Sequence, residues 1–166
     1  MNRAERYALC GAPTLYQRVA AIAAPALLLA VTAVILCCWH ILPEEVSTGY
    51  DLQGNPTGWS GRAALLITPI LGLATEGVMF LAELFPKSWN TGVRITPENR
   101  LAVYRAMGDM MADERISFAV LFTVLTLLPI FSTGTEVWTT AGFLVLAFWP
   151  LVRYGIRVIR IKRRLG

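Results

Sequence analysis

The sequence from Val19 to Ile41 is VAAIAAPALLLAVTAVILCCWHI, an apolar run that only Thr32 and His40 interrupt. A helix of about 20 apolar residues is long enough to cross the hydrocarbon core of a bilayer. The sequence from Ala63 to Phe85, AALLITPILGLATEGVMFLAELF, is a second run of this kind. These two stretches predict a pair of membrane-spanning helices.

The composition of the whole chain also indicates a membrane protein. Its 166 residues are 55% hydrophobic and only 16% charged, whereas soluble domains carry about 25% charged residues. Intrinsic disorder is excluded, because it requires low hydrophobicity and high net charge. The net charge of +4 is not accompanied by a basic face with interleaved aromatic residues, so we predict no nucleic-acid partner.

Two further apolar segments complete the predicted architecture, at 116–131 and 137–159. The prediction is an all-α fold, a polytopic membrane protein whose transmembrane domain, 19–159, is a bundle of four helices. The four predicted spans are 19–41, 63–85, 116–131 and 137–159. The other predicted segments are an N-terminal tail 1–18, an external loop 42–62, an amphipathic segment 97–115 and a basic tail 160–166.

The amphipathic segment begins with the signals of a helix start. Thr96 is a good N-cap, Pro97 suits the first helical position and Glu98 is an early acidic residue. Apolar residues then recur at helical spacing, with charged residues between them. We therefore predict one long helix from about Pro97 to Phe131, whose first half lies at the membrane surface or projects from it.

The distribution of basic residues predicts the orientation. Every Lys and Arg except Arg62 falls in the N-terminal tail, in the stretch between the second and third spans, or at the C-terminal end. The positive-inside rule then places both termini in the cytoplasm (N-in/C-in) and the 42–62 loop outside. The C-terminal basic cluster would contact anionic lipid, with topological anchoring favoured over specific lipid recognition.

The external loop is rich in Gly, Pro, Asn and Asp, which favour turns. Two interpretations remain open. The loop is a compact connector with Trp59 anchored at the membrane interface, or it is a recognition surface facing outside. The candidate recognition residues are Tyr50, Asp51, Gly54, Pro56, Gly58 and Trp59.

Glu76 is the most informative intramembrane residue. It lies about 14 Å from the cytoplasmic end of its span at about 1.5 Å per residue, where a carboxylate costs at least about 2.5 kcal/mol. It should be protonated, or face the bundle interior with partners, and Thr126 is the candidate partner. It would act either as a proton or ligand site or as a neutral carboxyl joining helices. We expect Glu83 to pair with Arg153 or Lys87.

No motif indicates catalysis or a cofactor. The sequence has no phosphate-binding loop, G-x-S-x-G, HExxH or dinucleotide fingerprint. Its single histidine, His40, and its Cys residues do not have metal-ligand spacing, although Glu44 and Glu45 leave a weak external cation site conceivable. We predict that the protein is not an enzyme and holds neither a metal nor a cofactor.

Two motifs resemble a known family. The first is leucine-proline at Leu42 followed by Gly54-x-Pro56-x-Gly58-Trp59, and the second is Thr96-Pro97-Glu98-Asn99-Arg100 followed by Tyr104. Together they resemble the SdpI-like bacterial membrane proteins, the family of domain of unknown function 1648, over roughly residues 20–131. The chain departs from the family at Gly49-Tyr50, where relatives commonly have histidine and an aromatic residue, and at Thr57, where they have aspartate.

The resemblance implies a small protein of the bacterial cytoplasmic membrane that protects against, or senses, membrane-active peptides. A peptide toxin would then meet the external loop. Two alternatives remain. The chain is a structural or regulatory subunit of a larger membrane complex such as an exporter, with another membrane protein as its partner, or it is a small proton-coupled transporter centred on Glu76. The transporter ranks last, because the paired broken helices of inverted repeats are absent.

Overall fold

The computed structural model describes residues 2–51, 53–131 and 137–165. Over these ranges the chain is helical except for a two-stranded hairpin and short connections. A 3-10 turn, Arg62–Leu66, leads into α3, and another, Pro86–Ser88, follows it. The main elements are α1 Arg3–Cys10, α2 Leu15–Cys37, β1 Glu45–Tyr50, β2 Pro56–Gly61, α3 Ile67–Leu84, α4 Arg100–Phe131 and α5 Val137–Leu165.

Capping boxes explain where the first two helices begin. The Asn2 side chain accepts a hydrogen bond from the backbone N–H of Glu5, and the Glu5 side chain accepts one from the backbone N–H of Asn2. Thr14 and Gln17 form the same reciprocal pair before α2. Such pairs satisfy backbone N–H groups that the first helical turn leaves free. As a result, the N-terminal tail contains a helix that we did not predict, and α2 starts before Val19.

Four helical segments are long and apolar enough to cross a membrane: Leu15–Cys37, Arg62–Leu84, Arg100–Phe131 and Thr139–Arg163. This confirms the predicted all-α bundle of four spans, whereas the predicted orientation of the termini stays a prediction. Two ends of the bundle can be distinguished. The hairpin end carries β1 and β2, and the terminal end carries α1 and the last turns of α5.

The core of the bundle is narrow and consists largely of small and aliphatic side chains. Ala24 and Leu28 of α2 pack against Ala119 of α4, with Leu73 and Phe122 beside them. Large apolar residues on the outer faces are mostly exposed, as expected for helices surrounded by lipid tails, where small residues at helix contacts allow close approach.

The amphipathic segment 97–115 is more closely packed than its sequence indicated. From Arg100 onward it is continuous with the third span in one helix, α4, as predicted. Asp113, Glu114 and Arg115 are buried, because α4 contacts α2, α3 and α5. Polar side chains of these helices pair with Asp113 and Arg115, whereas Glu114 Oε2 has no hydrogen-bond partner within the described residues. The location of the segment at the membrane surface stays a prediction.

The loop between the first two spans forms a β-hairpin, which the sequence analysis did not predict. Strands β1 and β2 are antiparallel, with Glu45 opposite Gly61, Val46 opposite Ser60 and Ser47 opposite Trp59. The register becomes irregular after Ser47. Both strands are only six residues long and contain Gly, and β2 begins with Pro; Gly and Pro are depleted in strands, which explains why only turns were expected.

Candidate functional site

The turn of the hairpin is organised by Asp51. Its Oδ1 atom accepts hydrogen bonds from the backbone N–H groups of Gln53 (2.9 Å) and Asn55 (2.8 Å), and its Oδ2 atom accepts one from Asn55 Nδ2 (3.0 Å). These bonds, chiefly those from Asn55, lower the pKa of Asp51 below its ordinary value. Gly54 supplies the positive φ of 86° that closes the turn.

The hairpin is packed onto the end of the bundle by β1. Val46 is 1% exposed and lies in a cluster with Ile35 of α2 and Leu65 of the 3-10 turn, with Ile130 of α4 against it. Arg62 fixes the other side of the base, since its guanidinium donates to the carbonyl of Trp39 at 2.8 Å. The hairpin is therefore held on apolar and polar contacts from three segments of the bundle.

A cavity of about 1080 Å³ lies between the hairpin and the bundle. Its walls come from β1 and the turn, from the start of α3, and from the facing ends of α4 and α5. Aliphatic side chains and hydroxyl groups make up most of the lining, and Asp51 is the one charged residue in the part of the lining that the described residues form. The polar lining residues are Ser47, Thr48, Tyr50, Asp51, Gln53, Thr68, Thr126, Thr139 and Thr140.

The Tyr50 hydroxyl in the cavity wall has no protein partner. It is buried and makes no hydrogen bond within the described residues. Pro129 interrupts α4 in the same wall and has no N–H to donate to the carbonyl of Leu125. Because unpaired buried polar groups are costly, the Tyr50 hydroxyl favours a ligand or water in the cavity.

The cavity separates the candidate loop residues into two sets. Tyr50 and Asp51 line it. Gly54 and Pro56 lie in or after the turn, and Gly58 and Trp59 lie on β2, none of them in the cavity wall. Trp59 is 60% exposed at the hairpin end, where an aromatic ring suits a membrane interface.

Glu76 meets an arginine inside the bundle. Its Oε2 atom is 2.9 Å from Arg115 Nε, and both side chains are about 95% buried. The same guanidinium donates from Nη1 to Glu83 Oε1 at 3.1 Å and reaches the Ala21 carbonyl at 3.4 Å. Arg115 thus links α4 to α3 and α2, and two carboxylates share its single positive charge.

The partners predicted for the two glutamates are wrong. Thr126 does not bond to Glu76, but donates to the carbonyl of Phe122 at 2.7 Å. It lies roughly 16 Å beyond Arg115 along α4, at about 1.5 Å per residue. Glu83 pairs with Arg115 and not with Arg153 or Lys87. The cause is that the charged part of α4 enters the bundle, which brings Arg115 level with both glutamates.

Two aspartates of α4 complete a layer of paired charges near the terminal end. Asp113 accepts hydrogen bonds from the Tyr16 hydroxyl and from Arg153, the latter with an N–O distance of 2.6 Å. Asp109 accepts one from Gln17 at 2.8 Å and also pairs with Arg157. These contacts fasten α4 to both α2 and α5. Charge pairing therefore explains how Asp109 and Asp113 are accommodated inside the bundle.

The motif at the start of α4 forms a local cap. The Thr96 N–H donates to Asn99 Oδ1 (2.8 Å), and the Asn99 N–H donates to Thr96 Oγ1 (3.4 Å). A hydrogen bond from the Thr96 side chain lowers the pKa of Glu98. Pro97 lies between the capping residues, and Arg100 begins the helix and is exposed. This arrangement gives the motif a structural role in starting α4.

Tyr104, which follows the cap, is buried against the segment after α3. Its ring centroid is 5.9 Å from that of Trp89, and the Trp89 indole N–H donates to the Ala82 carbonyl at 2.8 Å. Tyr104 therefore joins the first turns of α4 to the end of α3.

The conceivable cation site near His40 is not assembled. Glu44 is 3.4 Å from Arg62 and its side chain is 90% exposed. Within the described residues, no group of three or more His, Cys, Asp or Glu side chains could hold a metal ion.

The fold and the polar layer define the class of protein as a multi-pass, membrane-spanning helical bundle. Residues 26–73 match the family model described as "Domain of unknown function (DUF1648)". This range covers the second half of α2, the hairpin and the first turns of α3, so it includes the Gly54–Trp59 motif. The match confirms the resemblance to that family over this part of the chain, whereas the Thr96–Arg100 motif lies outside it. No curated protein and no solved structure matches the chain.

Proposed function

We propose that this protein protects a bacterial cytoplasmic membrane against membrane-active peptides, or senses them, by receiving a peptide segment in the cavity beneath the hairpin. In this proposal both termini are cytoplasmic and the hairpin faces outside. The observation that carries the proposal is the cavity of about 1080 Å³ at the hairpin end. Its support from the sequence is the resemblance to the SdpI-like proteins.

The lining of the cavity fits an amphipathic peptide. Aliphatic residues such as Leu125 and Leu128 would contact apolar side chains, and the hydroxyls would bond to polar ones. Asp51, the charged residue of the lining, would attract a cationic group, and membrane-active peptides are commonly basic and amphipathic. The Tyr50 hydroxyl would accept hydrogen bonds from the peptide backbone or donate one to it.

The size of the cavity also fits. Pockets for drug-sized ligands have volumes of about 300–1,000 Å³, so this cavity accepts several side chains at once. Its position at the end of the bundle would let a peptide enter from the outer interface without crossing the membrane. Catalysis has no part in the proposal, since binding alone would keep the peptide from inserting.

The test is membrane depolarisation by a panel of antimicrobial peptides, followed with a potential-sensitive dye in bacteria with and without the protein. A large side chain at the cavity wall, in Thr68→Phe, and loss of the charge in Asp51→Asn should abolish protection. Trp59→Ala is the matched control, because Trp59 lies on the same hairpin outside the cavity wall. All variants are compared at equal membrane abundance, measured by immunoblotting.

Three results separate the hypotheses. Protection that is lost in Thr68→Phe and kept in Trp59→Ala supports binding in the cavity. Protection lost only in Trp59→Ala supports a recognition surface on the outer face of the hairpin. Absence of protection against the whole panel contradicts the proposal and favours a subunit of a larger complex, which crosslinking in intact membranes would then identify.

A further inference from the structure

A second cavity lies at the terminal end of the bundle, under helix α1. Its volume is about 200 Å³, and its walls come from α1, the start of α2, the segment after α3 and the first half of α4. Three arginines and three aromatic residues dominate the lining. They are Arg6, Arg18, Arg105, Tyr7, Trp89 and Tyr104.

The turn between α1 and α2 builds this cavity. Gly11 has a φ of 77°, which favours glycine and lets the chain reverse after α1. A Cβ atom at this position would lie 3.2 Å from Arg105 Nε and 3.2 Å from Leu101 Cδ1. The backbone therefore approaches α4 closely, and α1 covers the end of the bundle with Arg6 next to the cavity.

The three arginines lack acidic partners. Within the described residues, none of Arg6, Arg18 and Arg105 has a carboxylate oxygen within the 4.0 Å that defines an ion pair, whereas Arg62, Arg153 and Arg157 each have one such partner and Arg115 has two. Glu83 also lines the cavity, but its Oε1 atom is bonded to Arg115. Arg6 is half-buried beside the Tyr7 ring, and Arg18 and Arg105 are exposed at the rim. The cavity therefore presents three guanidinium groups that no carboxylate of the described residues neutralises.

We propose that this cavity binds a phosphate group, supplied by the headgroup of an anionic lipid. Guanidinium groups bind phosphate oxygens with matched, paired hydrogen bonds. The volume is smaller than the roughly 300 Å³ of a small-molecule pocket, which fits a phosphate headgroup. Trp89 and Tyr104 are of the residue types that are enriched at the level of the lipid headgroups. By the positive-inside rule, the basic end of a membrane protein lies at the cytoplasmic leaflet. This site is separate from the peptide cavity and does not depend on that function.

The test measures lipid retained by the purified full-length protein, using native mass spectrometry from micelles with phosphatidylglycerol or phosphatidylcholine. We expect the wild-type protein to retain phosphatidylglycerol preferentially. A basic charge near an anionic lipid changes binding about fivefold, so the double variant Arg6→Gln/Arg105→Gln should lose tenfold or more in phosphatidylglycerol affinity. The matched control is Arg100→Gln/Arg160→Gln, which removes two exposed charges from the same end outside the cavity.

A second arm distinguishes the source of the phosphate. Delipidated protein is titrated with inorganic phosphate and with glycerol 1-phosphate, and its thermal stability is followed. If phosphatidylglycerol is not retained, but a soluble phosphate stabilises the wild-type protein and not the Arg6/Arg105 variant, the site binds a soluble phosphate. If phosphatidylglycerol is retained and neither soluble phosphate stabilises the protein, the site binds the lipid. Equal losses in the double variant and its control, or no preference in the wild type, would overturn the proposal.

Folding of each variant is verified by circular dichroism and gel filtration. Should Arg6→Gln/Arg105→Gln fail to fold, Arg18→Gln provides the same test, because Arg18 is exposed and lines the cavity from α2. Its expected loss is about fivefold, and an unchanged affinity in that variant would contradict the proposal.

Discussion

Replacing Arg115 with methionine should destabilise the bundle more than any other single change in its charged layer. The guanidinium lies 2.9 Å from Glu76 and 3.1 Å from Glu83, and its side chain is 4% exposed. Methionine keeps most of the length and apolar volume of the side chain but removes the cation. Two carboxylates would then face each other without compensation, one of them buried.

The structure gives an order of magnitude for each substitution in the layer. Removing one partner of a buried ion pair costs about 3–5 kcal/mol, which is the expected loss for Arg115→Met. Glu76→Gln should cost less, because Arg115 keeps Glu83 as a partner. Glu83→Gln should cost the least, about 1 kcal/mol or below, since the Glu83 side chain is 31% exposed and partly solvated pairs contribute little.

The assay is reversible unfolding in mixed micelles, titrated with a denaturing detergent and followed by circular dichroism. The double variant Arg115→Met/Glu76→Gln completes a thermodynamic cycle, and it should recover part of the loss, because no buried charge then lacks a partner at that position. The reasoning would be refuted if Arg115→Met cost less than about 1 kcal/mol, or if the cycle showed no coupling between Arg115 and Glu76.

Three further predictions concern other parts of the fold. Gly72→Ala should lower the free energy of unfolding by about 1–3 kcal/mol, because the new Cβ atom would lie 2.9 Å from an α2 side chain. Gly77→Ala on the same helix is the control, since its Cβ atom would meet nothing within 4 Å and should not destabilise the protein. The same unfolding titration checks both variants. Val46→Ala should loosen the hairpin, because Val46 is 1% exposed in the cluster at its base, and faster hydrogen exchange confined to 45–61 would show it. The pKa of Asp51 in the folded protein is below its ordinary value of 3.8. The stability that ionised Asp51 contributes to the turn is therefore present above pH 3.8 and is lost as the pH falls through the lower pKa of the folded protein. Asp51→Asn should remove this acid dependence from the hydrogen-exchange rates of the hairpin.

The sequence predicted the helices well, because long apolar runs have few alternatives to a membrane span. It also predicted that the third span continues a helix that starts near Pro97, from the capping residues around Thr96. The capping pairs Asn2–Glu5 and Thr14–Gln17 were signals of the same kind. They would have located α1 and the start of α2.

The candidate sites were harder to predict, because they depend on contacts between distant segments. Glu76 was identified as an intramembrane carboxylate from its position alone, but its partner was not. Arg115 appeared to belong to a surface helix, since a charged stretch normally lies outside the bilayer. The pairing became visible only when α3 and α4 were placed side by side. For the same reason the hairpin cavity, which combines β1, α3, α4 and α5, had no signature in any single segment.

The way α4 is fastened to α5 has a consequence for biosynthesis. Asp113 and Asp109 pair with Arg153 and Arg157, which lie in the helix that the ribosome makes after α4. While α4 enters the membrane, α5 is still in the ribosome. During that time the two aspartates lack the cationic partners that α5 supplies. A nascent chain stopped before α5 would therefore hold α4 weakly. Synthesis of α5 thus supplies the two cations that fasten the charged part of α4 in the bundle.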